Sequence, residues 1–266
     1  MIVTSSQATP SSADTAAQAP TTGRRWLISC GHFFFKYRDF VFPIVFLAVV
    51  LLSPPLRPFG SPRWELVSNL LGVAIALSGQ LLRALVIGFA YIRRGGLNKN
   101  IYADSLVREG FFAHSRNPLY VGNLLGLAGF LVIHNSWAGY LVAMPFFLFA
   151  YLAIVAAEED YLGRRFGDEY RDYCQKVNRF LPSLRGIGES VAGMGFDWKR
   201  LIRKEYGSTF TGLTCVLALW AWDAWRQLGS PAAEPVLRGV LIAWVPVVLA
   251  WLVARVLKKR GALGHG

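Results

Sequence analysis

Apolar residues occur along the chain in six runs that are separated by polar, charged or proline-containing stretches. The runs are Phe40–Leu52, Trp64–Ile92, Tyr120–Ile133, Trp137–Ala157, Ser208–Trp225 and Val236–Leu257. A helix needs about 20 apolar residues to cross a bilayer, and the second, fourth, fifth and sixth runs reach that length. The first and third runs are shorter, and we count them as spans because interfacial residues extend them. The pattern predicts an all-α, polytopic transmembrane bundle of about six helices.

The N-terminal part of the chain lacks this apolar pattern. Residues 1–23 are rich in Ser, Thr, Ala, Gln and Pro, which is typical of a disordered tail and not of a secretory signal peptide. The basic and aromatic segment Arg24–Arg38 follows. We expect it to lie at the membrane surface, with its aromatic side chains among the lipid headgroups.

Composition and charge agree with a membrane protein. The chain is 54% hydrophobic and 17% charged, whereas soluble domains have about 25% charged residues. Lys and Arg number four before the first run, five in 93–119, ten in 158–207 and four at the C-terminal end, against four in the remaining loops. This asymmetry predicts that both termini and both long connecting segments are cytoplasmic. The net charge of +12 is therefore explained by topology and does not indicate nucleic-acid binding.

Three consecutive carboxylates, Glu158, Glu159 and Asp160, follow the fourth apolar run. At the C-terminal end of a helix they repel one another and oppose the helix dipole, so the cluster favours a nearby cation. Asp160 has Arg164 four residues further on, but the same spacing from Glu158 and Glu159 reaches Leu162 and Gly163. Two interpretations remain open at this level: the two glutamates are solvated or paired with Arg116 or Arg108, or one of them binds a cationic ligand.

Arg83 lies within the second apolar run, where a charge is costly unless it faces a partner or a wet cavity. Gln80, one helical turn earlier, is expected to share such a cavity. The alternative is that Arg83 extends toward the cytoplasmic surface. Arg83 is our candidate for contacting an anionic group of a substrate.

The start of the third run has the pattern of a helix N-terminus. Pro118 suits the first helical position and Asn117 the capping position before it. Gly122 and Gly126 lie four residues apart and predict a face on which another helix packs closely.

Other familiar chemistries are not indicated by the sequence. Cys30, Cys174 and Cys215 have neither disulfide nor zinc-site spacing, and His114 and His134 are too isolated to predict a metal site. We expect His114 to be a surface or loop residue. Ser115 and Ser136 have no His and Asp at a spacing that indicates a catalytic triad, and no G-x-G-x-x-G motif is present.

The two segments that flank the predicted third and fourth helices carry a set of residues that resembles one superfamily of membrane enzymes. The first segment has Leu106, Val107, Gly110, Phe112, Arg116, Asn117, Pro118, Tyr120 and Gly122. The second has Glu158, Glu159, Leu162, Phe166, Gly167, Tyr170, Tyr173, Val177, Arg179, Phe180 and Pro182. Together they resemble the isoprenylcysteine carboxyl methyltransferase and phospholipid N-methyltransferase superfamily over about residues 64–183.

This resemblance implies S-adenosyl-L-methionine as the methyl donor, bound near the cytoplasmic face of the membrane. The residues that it implies as cofactor contacts are Asp104, Ser105, Leu106, Val107, Asn117, Pro118, Leu119, Tyr120, Glu158 and Glu159. Asn117 stands where the superfamily usually has His, which argues against a role as a base. Ile154 aligns with the superfamily's substrate-contacting Arg, which argues against a prenylcysteine carboxylate as the acceptor.

We therefore predict a methyltransferase of the membrane that acts on a lipid or another amphiphile. Its expected parts are the tail 1–23, a methyltransferase-like core 24–183 and a C-terminal extension 184–266 with two further helices. One alternative is a sterol-type membrane reductase that uses NADPH. The other is a non-enzymatic membrane protein built on the same helical hairpin.

Overall fold

A computed structural model describes residues 22–89, 94–97 and 100–264, so the predicted tail 1–23 lies almost entirely outside the described residues. The α-helices, numbered here α1 to α7, are Thr22–Leu52, Pro62–Phe89, Pro118–His134, Met144–Lys176, Ile187–Ala192, Trp198–Leu228 and Glu234–Lys259. A π-helical turn, Gly139–Ala143, leads directly into α4. Short 3-10 helices cover Pro58–Gly60 and Gly110–Ala113, and strands β1, Arg94–Leu97, and β2, Asn100–Ala103, form an antiparallel hairpin.

The predicted all-α class is confirmed, and the described residues of each of the six apolar runs lie in a helix, with Trp64–Ile92 described as far as Phe89. Pro62–Phe89, Gly139–Lys176 and Glu234–Lys259 are long and apolar enough to cross a membrane, whereas Pro118–His134 is apolar but shorter. The chain is thus a helical membrane protein. The number of spans and the cytoplasmic position of both termini stay predictions.

The expected surface position of Arg24–Arg38 is wrong for two of its aromatic residues. The segment is the first half of the continuous helix α1, and Phe34 and Phe35 are buried against α4. The close approach of α1 and α4 explains this burial, because a β-carbon on Gly31 would lie 2.0 Å from the Ala153 carbonyl oxygen. The sequence pattern did not show that these aromatic residues face another helix.

Glycines bring α2 and α3 into close contact, as expected for Gly122. A β-carbon on Gly79 would lie 2.4 Å from the Gly122 carbonyl oxygen, and one on Gly129 would lie 2.4 Å from that of Gly72. Any side chain at these positions would push the two helices apart. This contact fixes the position of Arg83 on α2 relative to the start of α3.

A buried polar cluster joins α1, α3 and α6 at the end of the bundle that we predict to be external. His134 Nδ1 lies 2.8 Å from Asp223 Oδ1, and its Nε2 lies 3.3 Å from the Ser53 hydroxyl. Ser53 in turn contacts the Ser136 hydroxyl at 3.0 Å. The fold thus places His134 between Asp223 and Ser53, and Ser136 joins this group through the Ser53 hydroxyl. All four side chains are buried, so we assign the cluster a role in packing.

Candidate functional site

A cavity of about 920 Å³ lies between α1, α2, α3, α4 and α6. Much of its wall is apolar, with side chains such as Phe42, Leu77, Leu119, Leu127, Phe130 and Val216. Its polar wall includes Arg38, Asp39, Gln80, Arg83, Asn123 and Glu158. The cavity is large enough for a small ligand and has the combination of apolar walls and few polar groups that is typical of binding sites.

One edge of the cavity is the turn Asn117–Tyr120 at the start of α3. Asn117 occupies the capping position and Pro118 the first turn, as predicted, but the Asn117 side chain does not cap the helix. Its Nδ2 instead donates a hydrogen bond of 3.0 Å to the Arg179 carbonyl oxygen. Asn117 therefore joins the start of α3 to the chain segment that follows α4.

Glu158 reaches the same cavity from α4. Its side chain is buried, and Oε1 accepts a hydrogen bond of 2.6 Å from the Tyr120 hydroxyl. The Tyr120 ring lies 5.4 Å from that of Tyr151, which is also buried. The carboxylate is thus held in a defined orientation at the edge of the cavity.

Glu159 has a different environment from its neighbour. Arg116 Nη1 lies 3.1 Å from Oε1 of Glu159, and Arg179 Nε donates to the same oxygen at 2.9 Å. The pairing with Arg116 is one of the alternatives left open by the sequence. The hydrogen bond from Arg179 to Glu159 raises the pKa of the Arg179 guanidinium.

Arg83 has a carboxylate partner that sequence analysis missed. Its Nη2 and Nε donate to Glu205 of α6 at 2.6 and 2.9 Å, and its Nη1 donates to Asn123 Oδ1 at 2.5 Å. Gln80 Nε2 donates to the same glutamate at 3.2 Å. Gln80 and Arg83 share the cavity, as expected. Glu205 lies 122 positions after Arg83, so no local sequence pattern could have predicted their contact.

The segment Asp104–Val107 does not line this cavity. Asp104 accepts a hydrogen bond from the Tyr102 hydroxyl, and this bond raises the pKa of Tyr102. Leu106 packs with Leu162 and other apolar residues of α4, and Val107 packs against the 3-10 helix Gly110–Ala113. The structure therefore brings Asn117–Tyr120, Glu158 and Arg83 together at the cavity. Cofactor contact by the first two, and by Asp104, Ser105, Leu106, Val107 and Glu159, stays a prediction, as does contact of Arg83 with the substrate.

His114 lies in a turn just after the 3-10 helix Gly110–Ala113, which agrees with the expected loop position, but its side chain is buried and not at the surface. Its Nδ1 lies 2.7 Å from the Ser183 carbonyl oxygen and its Nε2 lies 2.8 Å from the Ser190 hydroxyl. His114 thus connects the segment before α3 with α5. Ser183 and Ser190 lie 69 and 76 positions after His114. Because the contacts that bury His114 come from so far along the chain, the residues next to it in sequence did not predict its burial.

Fold and site define a class: a helical membrane protein with a cavity between its helices, whose polar edge is formed by the start of α3 and the middle of α4. Residues 67–169 match the family model described as phospholipid methyltransferase. The match confirms the resemblance to this superfamily of membrane methyltransferases. It includes Arg83, Asn117–Tyr120 and Glu158, but Glu205 lies outside it.

Two curated relatives match part of the chain. The cobalt-zinc-cadmium resistance protein CzcN of Cupriavidus metallidurans is 32% identical over 134 residues, which are 47% of this chain and 56% of that protein. The nickel-cobalt-cadmium resistance protein NccN of Alcaligenes xylosoxydans xylosoxydans is 29% identical over 119 residues, 45% of this chain and 50% of that protein. The aligned part of the chain spans about half the length of each relative.

No solved structure matches the chain. Among the residues that the structure describes, no three His, Cys, Asp or Glu side chains come together in a group that could hold a metal ion.

Proposed function

We propose that this protein is an S-adenosyl-L-methionine-dependent methyltransferase whose acceptor is a lipid or another amphiphile. The observation that carries the proposal is the meeting of Asn117–Tyr120 and Glu158 at one edge of the cavity, within the segment that matches the methyltransferase family. These are the positions that the resemblance implies for cofactor contact. They lie on the two consecutive helices of one hairpin, with Tyr120 and Glu158 separated by 38 positions in the chain.

The buried carboxylate of Glu158 is suited to a cationic donor. Tyr120 orients this carboxylate by a hydrogen bond of 2.6 Å, and the surrounding protein shields the charge from water, which strengthens its attraction for a positive ligand. When bound, the donor supplies a methyl group on a sulfonium, and transfer leaves a neutral thioether with the electron pair of the broken bond. Asn117 supports this site by fixing the start of α3 to the Arg179 carbonyl.

The apolar wall of the cavity is suited to an acceptor with a hydrocarbon part. Leu77, Leu127, Phe130 and Val216 lie along it, on helices that we predict to cross the membrane. An amphiphile can therefore reach the cavity from the bilayer and place its polar group near Glu158. The contribution of the protein to the reaction is then positioning of the two substrates and exclusion of water.

The direct test is methyl transfer by the full-length protein in phospholipid nanodiscs. Purified protein is incubated with S-adenosyl-L-methionine labelled in its methyl group and with a total lipid extract of the host cell. We expect label in a lipid-soluble product, and its mass identifies the acceptor. A matched incubation with NADPH tests the reductase alternative. NADPH oxidation without methyl transfer would contradict our proposal and favour that alternative.

A further inference from the structure

A second cavity of about 590 Å³ lies between α2, α6 and α7, and we call it the α2–α6–α7 groove. Its lining is mostly apolar and includes Leu81, Ala84, Phe210, Val247, Ala250 and Trp251. The groove adjoins the first cavity, because Gln80 and Thr209, which are joined by a hydrogen bond of 2.9 Å, line both. Two of its three helices, α6 and α7, lie outside the segment 67–169 that matches the methyltransferase family.

The groove has the length of a lipid chain in one leaflet. Its wall on α6 extends from Leu201 to Leu213, which is roughly 18 Å of helix at 1.5 Å per residue. The lining residues between them recur every three or four positions, so they form one face of α6. One leaflet supplies roughly 15 Å, half of the hydrocarbon core of a bilayer. The groove therefore suits a hydrocarbon chain that lies along α6 and α7.

The start of α6 and the end of α7 meet at one end of the groove. Arg203 Nη1 donates to the Leu263 and Gly264 carbonyl oxygens at 3.0 and 2.8 Å. These contacts bring together residues 198–204 and 255–260, which contain eight Lys and Arg and no Asp or Glu. Because charges are costly in hydrocarbon, this end of the groove lies at a membrane surface.

The two carboxylates next to residues 198–204 do not compensate this charge. Asp197 lies 3.9 Å from Arg200, one of the eight basic residues. Glu205 pairs with Arg83 at 2.6 Å. Within the part of the chain that the structure describes, none of the other seven basic residues has a carboxylate oxygen within 4.0 Å. An excess of positive charge therefore remains at this end of the groove.

Two cations stand beside aromatic rings of the groove wall. The guanidinium carbon of Arg255 lies 4.9 Å from the centre of the Trp251 ring, and Lys258 Nζ lies 5.0 Å from that of Tyr206. Both rings line the groove, whereas Arg255 and Lys258 are exposed. The cations are thus held near the end of the apolar lining, where a headgroup would follow a hydrocarbon chain.

We propose that the α2–α6–α7 groove binds an anionic phospholipid, with an acyl chain along α6 and α7 and the phosphate at Arg255 and Lys258. A free phosphate would use only the cations, and an uncharged lipid only the apolar wall, whereas an anionic phospholipid uses both. Basic pockets between membrane helices at a bilayer surface bind such headgroups. The C-terminal extension is then a lipid-binding part of the protein, and this role does not depend on methyl transfer.

The test compares two photoreactive lipids, phosphatidylglycerol and phosphatidylcholine with the same diazirine-bearing acyl chain. Each is added in small amount to the full-length protein in phosphatidylcholine nanodiscs, without a methyl donor, and the sample is irradiated. Mass spectrometry gives the labelling of groove residues on α6 and α7 relative to Leu249 and Leu252, which are exposed on α7 and do not line the groove. Two cations should favour phosphatidylglycerol in the groove roughly twentyfold.

Charge variants test the headgroup contact. Arg255→Gln and Lys258→Gln should each lower the preference for phosphatidylglycerol about fivefold. Arg226→Gln is the matched control, because the Arg226 guanidinium lies 5.7 Å from the Trp222 ring near the opposite end of α6. It should leave the preference unchanged.

A change of shape tests the chain contact without altering charge. Ala250→Phe fills the groove and should strongly reduce its labelling by phosphatidylglycerol. Val253→Phe adds the same bulk on the exposed face of α7, outside the groove, and should not reduce the labelling.

Equal labelling of the groove by the two lipids, or an unchanged preference in both charge variants, would overturn the inference and make the groove a site for any hydrocarbon chain. Loss of labelling when chloride is replaced by inorganic phosphate at the same ionic strength would overturn it in favour of a soluble anion.

Discussion

The Tyr120 hydroxyl donates a hydrogen bond of 2.6 Å to Oε1 of Glu158, a residue that lies 38 positions further along the chain. This contact joins the first turn of α3 to the middle of α4 at the edge of the cavity. Tyr120 also packs against the Tyr151 ring, so its hydroxyl has little freedom to turn away. The direction of the Glu158 carboxylate is therefore fixed before any ligand binds, which lowers the entropic cost of binding.

Replacing Tyr120 with Phe removes this hydrogen bond but keeps the aromatic ring. A single hydrogen bond contributes ~1 kcal/mol, so we expect the affinity for S-adenosyl-L-methionine to fall about fivefold. Tyr140→Phe is the matched control, since its hydroxyl donates to Asn135 Oδ1 at 2.8 Å away from the cavity. The measurement is isothermal titration calorimetry in nanodiscs. Equal affinities of Tyr120→Phe and Tyr140→Phe would show that the orientation of Glu158 does not matter for donor binding.

Asn117 is expected to position the site and not to act as a general base. An amide does not take up a proton near neutral pH, whereas a histidine titrates near pH 6.5. Asn117→His should keep appreciable activity because imidazole can also donate to the Arg179 carbonyl. Asn117→Ala loses that hydrogen bond of 3.0 Å and should bind the donor more weakly.

The comparison for Asn117 uses donor affinity together with the pH–rate profile of methyl transfer. Wild type and Asn117→His should have the same profile if the residue does not exchange a proton with the acceptor. Normal donor binding in Asn117→Ala, with a slower chemical step, would instead place Asn117 beside the acceptor.

The contact between His134 and Asp223 should stabilise the bundle without affecting the donor. Asp223→Ala removes a buried hydrogen bond of 2.8 Å between α3 and α6. Leaving a buried hydrogen-bonding group without its partner costs about 1–3 kcal/mol, so the midpoint of thermal unfolding should fall clearly. Asp168→Ala, at an exposed position, should leave it nearly unchanged. A normal unfolding midpoint in Asp223→Ala would exclude a packing role for this cluster.

The charge asymmetry of the loops predicts that both termini are cytoplasmic and that the number of spans is even. Reporter domains fused after Gly266 and inserted within 53–63 should then report opposite sides of the membrane. The test is performed in intact cells, with the same reporter placed in the 158–207 segment as a cytoplasmic reference. Reporters at Gly266 and within 53–63 on the same side would contradict the six-span topology.

The sequence predicted the existence of the six long helices because each contains an apolar run. It did not predict their full lengths, since α1 begins at Thr22, α4 continues to Lys176 and α6 begins at Trp198, all beyond the apolar runs. It also predicted the helix start at Asn117 and Pro118, which depends on neighbouring residues alone. The partner of Arg83 could not be predicted, because Glu205 comes from a helix 122 residues further on. Likewise, the Asn117 side chain donates a hydrogen bond to the Arg179 carbonyl and does not cap its own helix. This contact could not be predicted, because it depends on how the chain after α4 packs against the start of α3.

The most direct test of the account is calorimetric titration of S-adenosyl-L-methionine into wild type, Glu158→Gln and Glu159→Gln in nanodiscs. We expect wild type to bind and Glu158→Gln to lose roughly tenfold or more in affinity, because a charge-assisted interaction is replaced by a neutral one. Glu159→Gln should lose less affinity and more thermal stability, since Glu159 pairs with Arg116 and Arg179. Absence of binding by wild type, or unchanged affinity in Glu158→Gln, would contradict the donor site proposed for this protein.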